Sequence, residues 1–349
     1  MSLSNYLTLG RSGLRVSPLC LGTMTFGTEW GWGSEEEAAA QLLDRYVESG
    51  GNFLDTADGY TNGKSEEICG RLIRDRGLRD RIVLATKFTF NVQPGNPNAG
   101  GNGRKNAFRA LETSLRRLQT DYVDLYWMHI WDGTTPVEEV MATLDHLVTS
   151  GKVRYVGFSD VPAWYAARAQ TIAQFAHSSP VIALQLEYSL VERSIEREHV
   201  PAAHELGMGI CPWSPLASGF LAGKYKRGEQ GGGRLDTMST SDNPVFQKFT
   251  DRNWAVLDGL LDVAGKIGRP PAEVALNWVA TQPGISSTII GATKMNQLES
   301  NLSALEFSIP TELREKLDRA SRPEAAHPYL MFEEPFTSMV NGGVTVKGW

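Results

Sequence analysis

The chain has 349 residues, is 41% hydrophobic and carries a formal net charge of −6. That length holds one (β/α)₈ barrel of ~250 residues with long loops, or two smaller domains. The acidic balance gives no support for a nucleic-acid partner, and no apolar run reaches the ~18 residues that a membrane span needs.

The N-terminus, Met1-Ser2-Leu3-Ser4-Asn5-Tyr6, is polar and lacks a signal-peptide core. Tyr6–Leu9, the turn Gly10-Arg11-Ser12-Gly13 and Leu14–Val16 predict a β-hairpin within residues 1–17, placed to plug the bottom of a barrel. Barrel strands are expected at Leu19–Leu21, Asn52–Leu54, Ile82–Ala85, Val123–Met128, Tyr155–Phe158, Val181–Leu184, Gly209–Trp213 and Ser287–Ile290. Ser34 followed by Glu35-Glu36-Glu37 reads as a capping box, and Leu42, Leu43, Tyr46 and Val47 carry the helical stripe to Gly50-Gly51. Thr135-Pro136 opens another helix, with Glu138 and Glu139 in its first turn and Gly151 at its end. A helix pattern follows each strand closely, except after the seventh, where a long loop comes first.

This alternation argues for a parallel sheet, and eight units argue for closure. The expected fold class is therefore α/β, a (β/α)₈ TIM barrel forming one domain over residues 1–349. No Gly-x-Gly-x-x-Gly turn follows the first strand, which weakens a dinucleotide-binding open sheet. Loops at 91–103 and 214–250 fall on the expected active face, and a tail spans 322–349. Cys20 and Cys211 lie in apolar runs and Cys69 on a helix pattern. So sparse a set is neither a disulfide framework nor a metal site, and it reads as buried free thiols in a reducing cytoplasm.

Four polar residues, Asp55, Tyr60, Lys87 and His129, follow the second, third and fourth strand candidates. At the C-terminal ends of barrel strands they would meet at one mouth. Each alone has an ordinary explanation: a packed Tyr, a solvated strand-end Lys or Asp, a core His. Together they form a proton-donating set. A phenol with pKa ~10 is a poor acid near neutrality unless its anion is stabilised. Lys87 would supply that stabilisation, Asp55 would hold and charge Lys87, and His129 would orient a carbonyl oxygen or relay the proton. A Schiff-base aldolase using Lys87 is the competing chemistry, but Asp55 would oppose the lowered amine pKa it needs.

At these residues the chain resembles the aldo-keto reductase family. The motifs are Asp55-Thr56-Ala57-Asp58-Gly59-Tyr60, Ala85-Thr86-Lys87 and Leu125-Tyr126-Trp127-Met128-His129. The resemblance runs from about Leu9 to about Leu305. It implies a barrel that binds NADPH/NADP⁺ and reduces a small-molecule aldehyde or ketone, with Tyr60 as the acid and Asp55, Lys87 and His129 in support. Asn96–Asn102 and the Trp131-Asp132 pair are similar to the aryl-alcohol dehydrogenase-like branch. Relatives that serve as ion-channel β subunits suggest an alternative, an NADPH-binding regulatory subunit with slow turnover.

A barrel of this form predicts a phosphate site in the loops after strands seven and eight. Trp213-Ser214-Pro215-Leu216-Ala217-Ser218-Gly219 and Gly291-Ala292-Thr293-Lys294 supply small residues there. With the resemblance, Trp213 is expected to stack on the nicotinamide, and Ser159 and Gln185 to bond its carboxamide. Lys224 and Arg234 would reach the pyrophosphate under the 214–250 loop. Thr293, Lys294 and Gln297 would face the 2′-phosphate and Asn301 the adenine, with Gly22, Thr23, Met24 and Asp55 completing the set. No metal is expected.

Two positions depart from the family pattern. Asp160 stands where an Asn is usual, and an ionised carboxylate accepts but cannot donate. Asp160 is expected to favour the oxidised cofactor, although Asp160-Val161-Pro162 also reads as a helix N-cap. Ser300 stands where a Glu is frequent. Trp30, Trp32, Trp131 and the segment His327–Phe336 are candidates for an aromatic-lined substrate pocket.

Overall fold

The structure is a computed structural model that describes residues 1–228, 235 and 242–346. An antiparallel hairpin, β1 (Leu7–Thr8) and β2 (Arg15–Val16), precedes eight parallel strands. These are β3 (Leu19–Gly22), β4 (Phe53–Asp55), β5 (Val83–Phe88), β6 (Val123–Met128), β7 (Val153–Ser159), β8 (Val181–Glu187), β9 (Gly209–Trp213) and β10 (Thr288–Ile290). Their spatial order is β10-β3-β4-β5-β6-β7-β8-β9. The two ends meet where the Ser286 amide donates to the Ile210 carbonyl at 2.9 Å and the Ile210 amide donates to Gly284 at 3.2 Å. The sheet thus closes as the expected (β/α)₈ barrel.

Helices cover its outside. They are α1 (Glu36–Glu48), α2 (Lys64–Asp75), α3 (Arg104–Leu118), α4 (Val137–Thr149), α5 (Ala163–Ala176), α6 (His199–Leu206), α7 (Asp251–Ile267), α8 (Pro271–Ala280), α9 (Met295–Ser303) and α10 (Thr311–Ser321), while α11 (Phe336–Val340) is exposed in the tail. With both faces covered, β5 is buried at every position.

The barrel interior holds Cys20, Phe53, Leu125, Trp127, Ile182 and Cys211, capped by Leu9 and Val16 from the hairpin, which closes the bottom. Trp127 fills the centre. It leaves no room for a side chain at residue 157, where a Cβ would lie 2.3 Å from its ring, so Gly157 is required. All three cysteines are free and buried.

Four strands, β4, β5, β7 and β8, outrun their apolar segments. Asp55 is in register with Gly22 and Ala85, Lys87 with Trp127, and Ser159 with Gln185. A polar side chain at the mouth ends the hydrophobic pattern without ending the ladder.

The capping box at Ser34 is not formed. Glu35 is the N-cap of α1 and makes no side-chain cap bond. Ser34 is instead held in the preceding loop: its amide donates to Thr25 at 2.7 Å, its carbonyl accepts from Gly27 at 2.9 Å, and its hydroxyl reaches the Thr293 carbonyl at 3.4 Å.

Candidate active site

The mouth at the C-terminal strand ends brings the four residues together. Lys87 is fully buried, and its Nζ donates to the Asp55 carboxylate, to the Thr56 carbonyl at 2.8 Å and to the Tyr60 hydroxyl at 3.2 Å. Gln185, from the far side of the barrel, donates its amide to Asp55 Oδ1 at 3.1 Å. His129 follows β6 directly, and its ring lies edge-on to Tyr60 with centroids 5.8 Å apart. Its amide donates to the Phe88 carbonyl at 3.0 Å, while its Nδ1 is buried without a partner among the described residues.

Burial and charge set the protonation states. Burial alone would lower the Lys87 pKa, but the Asp55 charge, Tyr60 and the hydrogen bonds to both outweigh it, so Lys87 stays an ammonium ion. This opposes the aldolase chemistry. Burial and the Lys87 charge push His129 well below its usual range, so its imidazole is neutral. Tyr60 corrects the simple expectation of an acidified phenol. Burial raises its pKa more than Lys87 lowers it, Asp55 adds to the rise, and the net shift is upward. The phenol is therefore a proton holder at rest, with a cation in place to stabilise the anion once the proton leaves.

The rim is aromatic. Trp30 meets Tyr60 edge-on at 6.4 Å and Trp32 at 5.5 Å, and Phe90 meets His129 at 4.7 Å. Phe90 has no signal in the sequence beyond following Thr89 after β5. Trp131 packs against Trp164 and Tyr165 of α5 at 5.7 and 6.1 Å, and its amide donates to the Asp160 carbonyl at 3.3 Å. Among the described contacts, the tail bonds Glu198 through Tyr329 and Arg197 through the Glu324 carbonyl, and does not touch Tyr60. The 91–103 loop is pinned through Asn102, whose amide donates to Asp132 Oδ2 at 2.8 Å and whose side chain donates to the Ile130 carbonyl at 2.9 Å.

On the opposite rim, Trp213 Nε1 donates to Asp160 Oδ1 at 3.1 Å, and Ser159 Oγ donates to Asp160 Oδ2 at 3.4 Å. Burial pushes the Asp160 carboxyl up to about 6. Asp160 is not the N-cap of α5, which is Pro162. Its left-handed backbone, φ 45°, turns the chain so that its carboxylate meets Trp213 instead.

After β9, Ser214, Ala217, Ser218 and Gly219 all have positive φ, between 48° and 90°. The Ser218 amide donates to Ser214 Oγ at 3.0 Å, Pro215 is buried, and Leu216 precedes a run of tight turns over Ala217–Ala222. Lys224 is exposed, and its ammonium lies beside Gly219, 3.6 Å from where a Cβ would stand. Arg234 lies outside the described residues. At the start of α9, the amides of Thr293 and Lys294 and the Thr293 hydroxyl converge on Gln297 Oε1 at 2.8, 3.2 and 3.1 Å. That donor set suits a phosphate oxygen. Gly291 has open space around its Cα.

Other expected nucleotide contacts are already engaged within the chain. Asn301 donates its amide to the Gly291 carbonyl at 3.2 Å. Ser300, which departs from the family pattern, donates to Glu273 at 3.2 Å. The Thr23 hydroxyl is buried on the Asp55 carbonyl at 3.1 Å and on Ser65 at 2.9 Å. Gly22 packs against Ile289 and Met24 is half-buried.

A family model described as the aldo/keto reductase family matches residues 18–322. The chain belongs to the aldo/keto reductase family. Among its relatives, an aryl-alcohol dehydrogenase [NADP(+)] of Phanerodontia chrysosporium is 35% identical over 92% of this chain and 86% of that enzyme. A probable voltage-gated potassium channel subunit beta of Oryza sativa is 36% identical over 93% of this chain and 99% of its own. A norsolorinic acid reductase of Aspergillus flavus is 34% identical over 94% and 84%. These place the chain in the expected branch of the aldo/keto reductases, and oxidoreductase chemistry on carbonyl compounds follows from the family.

Proposed function

We propose that this protein reduces aldehydes or ketones to alcohols with NADPH, and that Tyr60 delivers the proton. The observation that carries the reading is the bonding of Lys87 Nζ to Asp55 and Tyr60 at the barrel mouth. When bound, NADPH supplies the hydride.

The chain's own residues do the rest. Tyr60 Oη gives its proton to the carbonyl oxygen, and the resulting phenolate is stabilised by the Lys87 ammonium at 3.2 Å. Asp55 keeps Lys87 charged and in place, and is itself held by Gln185. Neutral His129 orients the carbonyl oxygen, while Trp30, Trp32 and Phe90 flank an aromatic substrate.

The donors fit the cofactor. The Ser214–Gly219 turn, Lys224 and Arg234 would hold the pyrophosphate, and Thr293, Lys294 and Gln297 the 2′-phosphate. Trp213, Ser159, Asp160 and Gln185 would hold the nicotinamide end, while Asn301, Gly22, Thr23 and Met24 would shape the remaining walls. The buried thiols accord with a reducing cytoplasm.

Quenching of tryptophan fluorescence by NADPH tests binding, and loss of NADPH absorbance with a panel of aromatic aldehydes tests turnover. Binding without turnover of any aldehyde would favour a second reading, the slow regulatory subunit suggested by the Oryza sativa relative.

A further inference from the structure

We propose that Arg117, on α3 and outside the mouth, is a positioning residue that sets where Tyr60 stands relative to Lys87. This rests on the reading of Tyr60 as the acid.

The Tyr60 hydroxyl has one hydrogen-bond partner among the described residues, Lys87 Nζ. Apart from the Trp30 and His129 rings beside it, its placement therefore depends on its backbone. That backbone enters a strained turn, Tyr60–Gly63, in which Thr61, Asn62 and Gly63 have φ of 45°, 56° and 91°. Successive left-handed residues persist only where the surroundings hold them. From one side the Thr61 hydroxyl does so, donating to the Phe26 carbonyl at 2.8 Å and accepting from the Ser65 amide at 3.0 Å.

From beneath, the support is Arg117. Its Nη1 donates to the Asp58 carbonyl at 2.9 Å, two residues before Tyr60, and to Glu66 Oε2 at 3.2 Å. Glu66 is fully buried, and its other oxygen accepts from the Thr86 hydroxyl at 2.7 Å. Thr86 is the strand neighbour of Lys87, and the Asp58 amide donates to the Lys87 carbonyl at 3.1 Å. One guanidinium therefore joins the loop that carries the phenol to the strand that carries the ammonium.

The space is shaped for it. A Cβ at residue 63 would lie 2.3 Å from Arg117 Cζ and its φ is 91°, so glycine at this position both tolerates the left-handed backbone and leaves the guanidinium its place under the turn. At Gly70 a Cβ would lie 2.5 Å from the Arg117 carbonyl, so α2 and α3 meet closely at the same residue. Residues that fix geometry to within an ångström of the reacting atoms can govern the rate without touching substrate.

The test compares wild type with Tyr60→Phe, Arg117→Met, Arg117→Lys and Glu66→Gln. It measures kcat, KM, the NADPH dissociation constant from fluorescence, and the pH profile of kcat. Arg71→Met is the control. It removes a two-bond pair with Glu36, at 2.8 and 2.7 Å, from the same α2 without approaching the turn, and should leave kcat unchanged. Arg117→Met should lower kcat by about ten- to a hundredfold, with NADPH affinity within about twofold of wild type. The kcat limb that Tyr60→Phe abolishes should move in pH. Arg117→Lys, which keeps the charge and a donor, should recover part of the loss, and Glu66→Gln should show a smaller loss in the same direction. If Arg117→Met is insoluble, Glu66→Gln decides alone.

The inference is overturned if kcat stays within about twofold in a folded variant, or if kcat and NADPH affinity fall together. If Tyr60→Phe itself retains full turnover, the assignment of the acid fails instead.

Discussion

Asp58 offers a direct physical test, because it is a buried carboxylate with both oxygens unpartnered among the described residues. Burial, then the Glu66 charge, push its pKa from an ordinary value near 3.8 to about 7, against the pull of Arg117 and Arg109. The folded protein thus holds this proton more tightly than the unfolded chain does. The associated stability is fully present below the unfolded pKa and is lost as pH rises towards about 7. At about 1.36 kcal/mol per unit, wild type should lose ~2.5 kcal/mol between about pH 5 and about pH 7.5 from this group. Half of that shift still leaves ~1 kcal/mol. Asp58→Asn cannot ionise, so its stability relative to wild type should rise with pH across that window. Whatever fixed cost the amide carries in the pocket only offsets the curve. The assay is urea unfolding of both proteins at several pH values, because other titrating groups cancel in the difference. Glu66, on α2, is coupled to Asp58, so Glu66→Gln should flatten part of the same slope. A difference between wild type and Asp58→Asn that stays constant with pH would refute the reasoning.

Tyr60→Phe should cut carbonyl reduction by ~10²–10⁴-fold while leaving the NADPH dissociation constant nearly unchanged; retention of more than about a tenth of turnover would reassign the acid. Lys294→Ala should weaken NADPH binding by about ten- to a hundredfold and NADH binding little, from a lost charge-assisted hydrogen bond. Parallel titrations check it, and equal losses for both cofactors would show that Lys294 does not read the 2′-phosphate. Asp160, with its carboxyl near about 6, should favour positively charged NADP⁺ over NADPH at pH 7.5 and lose that bias towards pH 5. Asp160→Asn should remove about a fivefold bias, ~1 kcal/mol, at the higher pH only; a pH-independent ratio in wild type would place the carboxylate out of reach of the ring.

The barrel was legible because period and length survive in one dimension. Eight apolar runs, each bounded by turns and followed by a helical stripe, admit few closed arrangements. The four mouth residues were legible for the same reason: strand ends share one side, so position along a strand implies proximity in space. Local signals were less reliable. Ser34 has the residue spacing of a cap, yet its backbone and hydroxyl are committed to the loop before the helix and to Thr293. Asp160 reads as a cap before Pro162, but a left-handed backbone and the Trp213 indole take its carboxylate away from the helix.

What only the tertiary structure decided is the protonation chemistry and its support. Proximity of Lys87 predicts a more acidic Tyr60, but desolvation is a property of everything around the phenol and it outweighs the single cation. Arg117, Glu66 and Asp58 are separated in sequence, lie on different elements and look like solvated helix or loop charges. The close approach of α2 and α3 at Gly70 joins buried Asp58 and Glu66 to a half-buried Arg117 beneath the mouth. Phe90 and Trp131 are both aromatic residues just past strand ends, and which of them faces His129 is set by loop packing. Sequence periodicity determines which strand end a residue occupies; the dielectric around it, and the partners that reach it from other elements, exist only once the chain has closed.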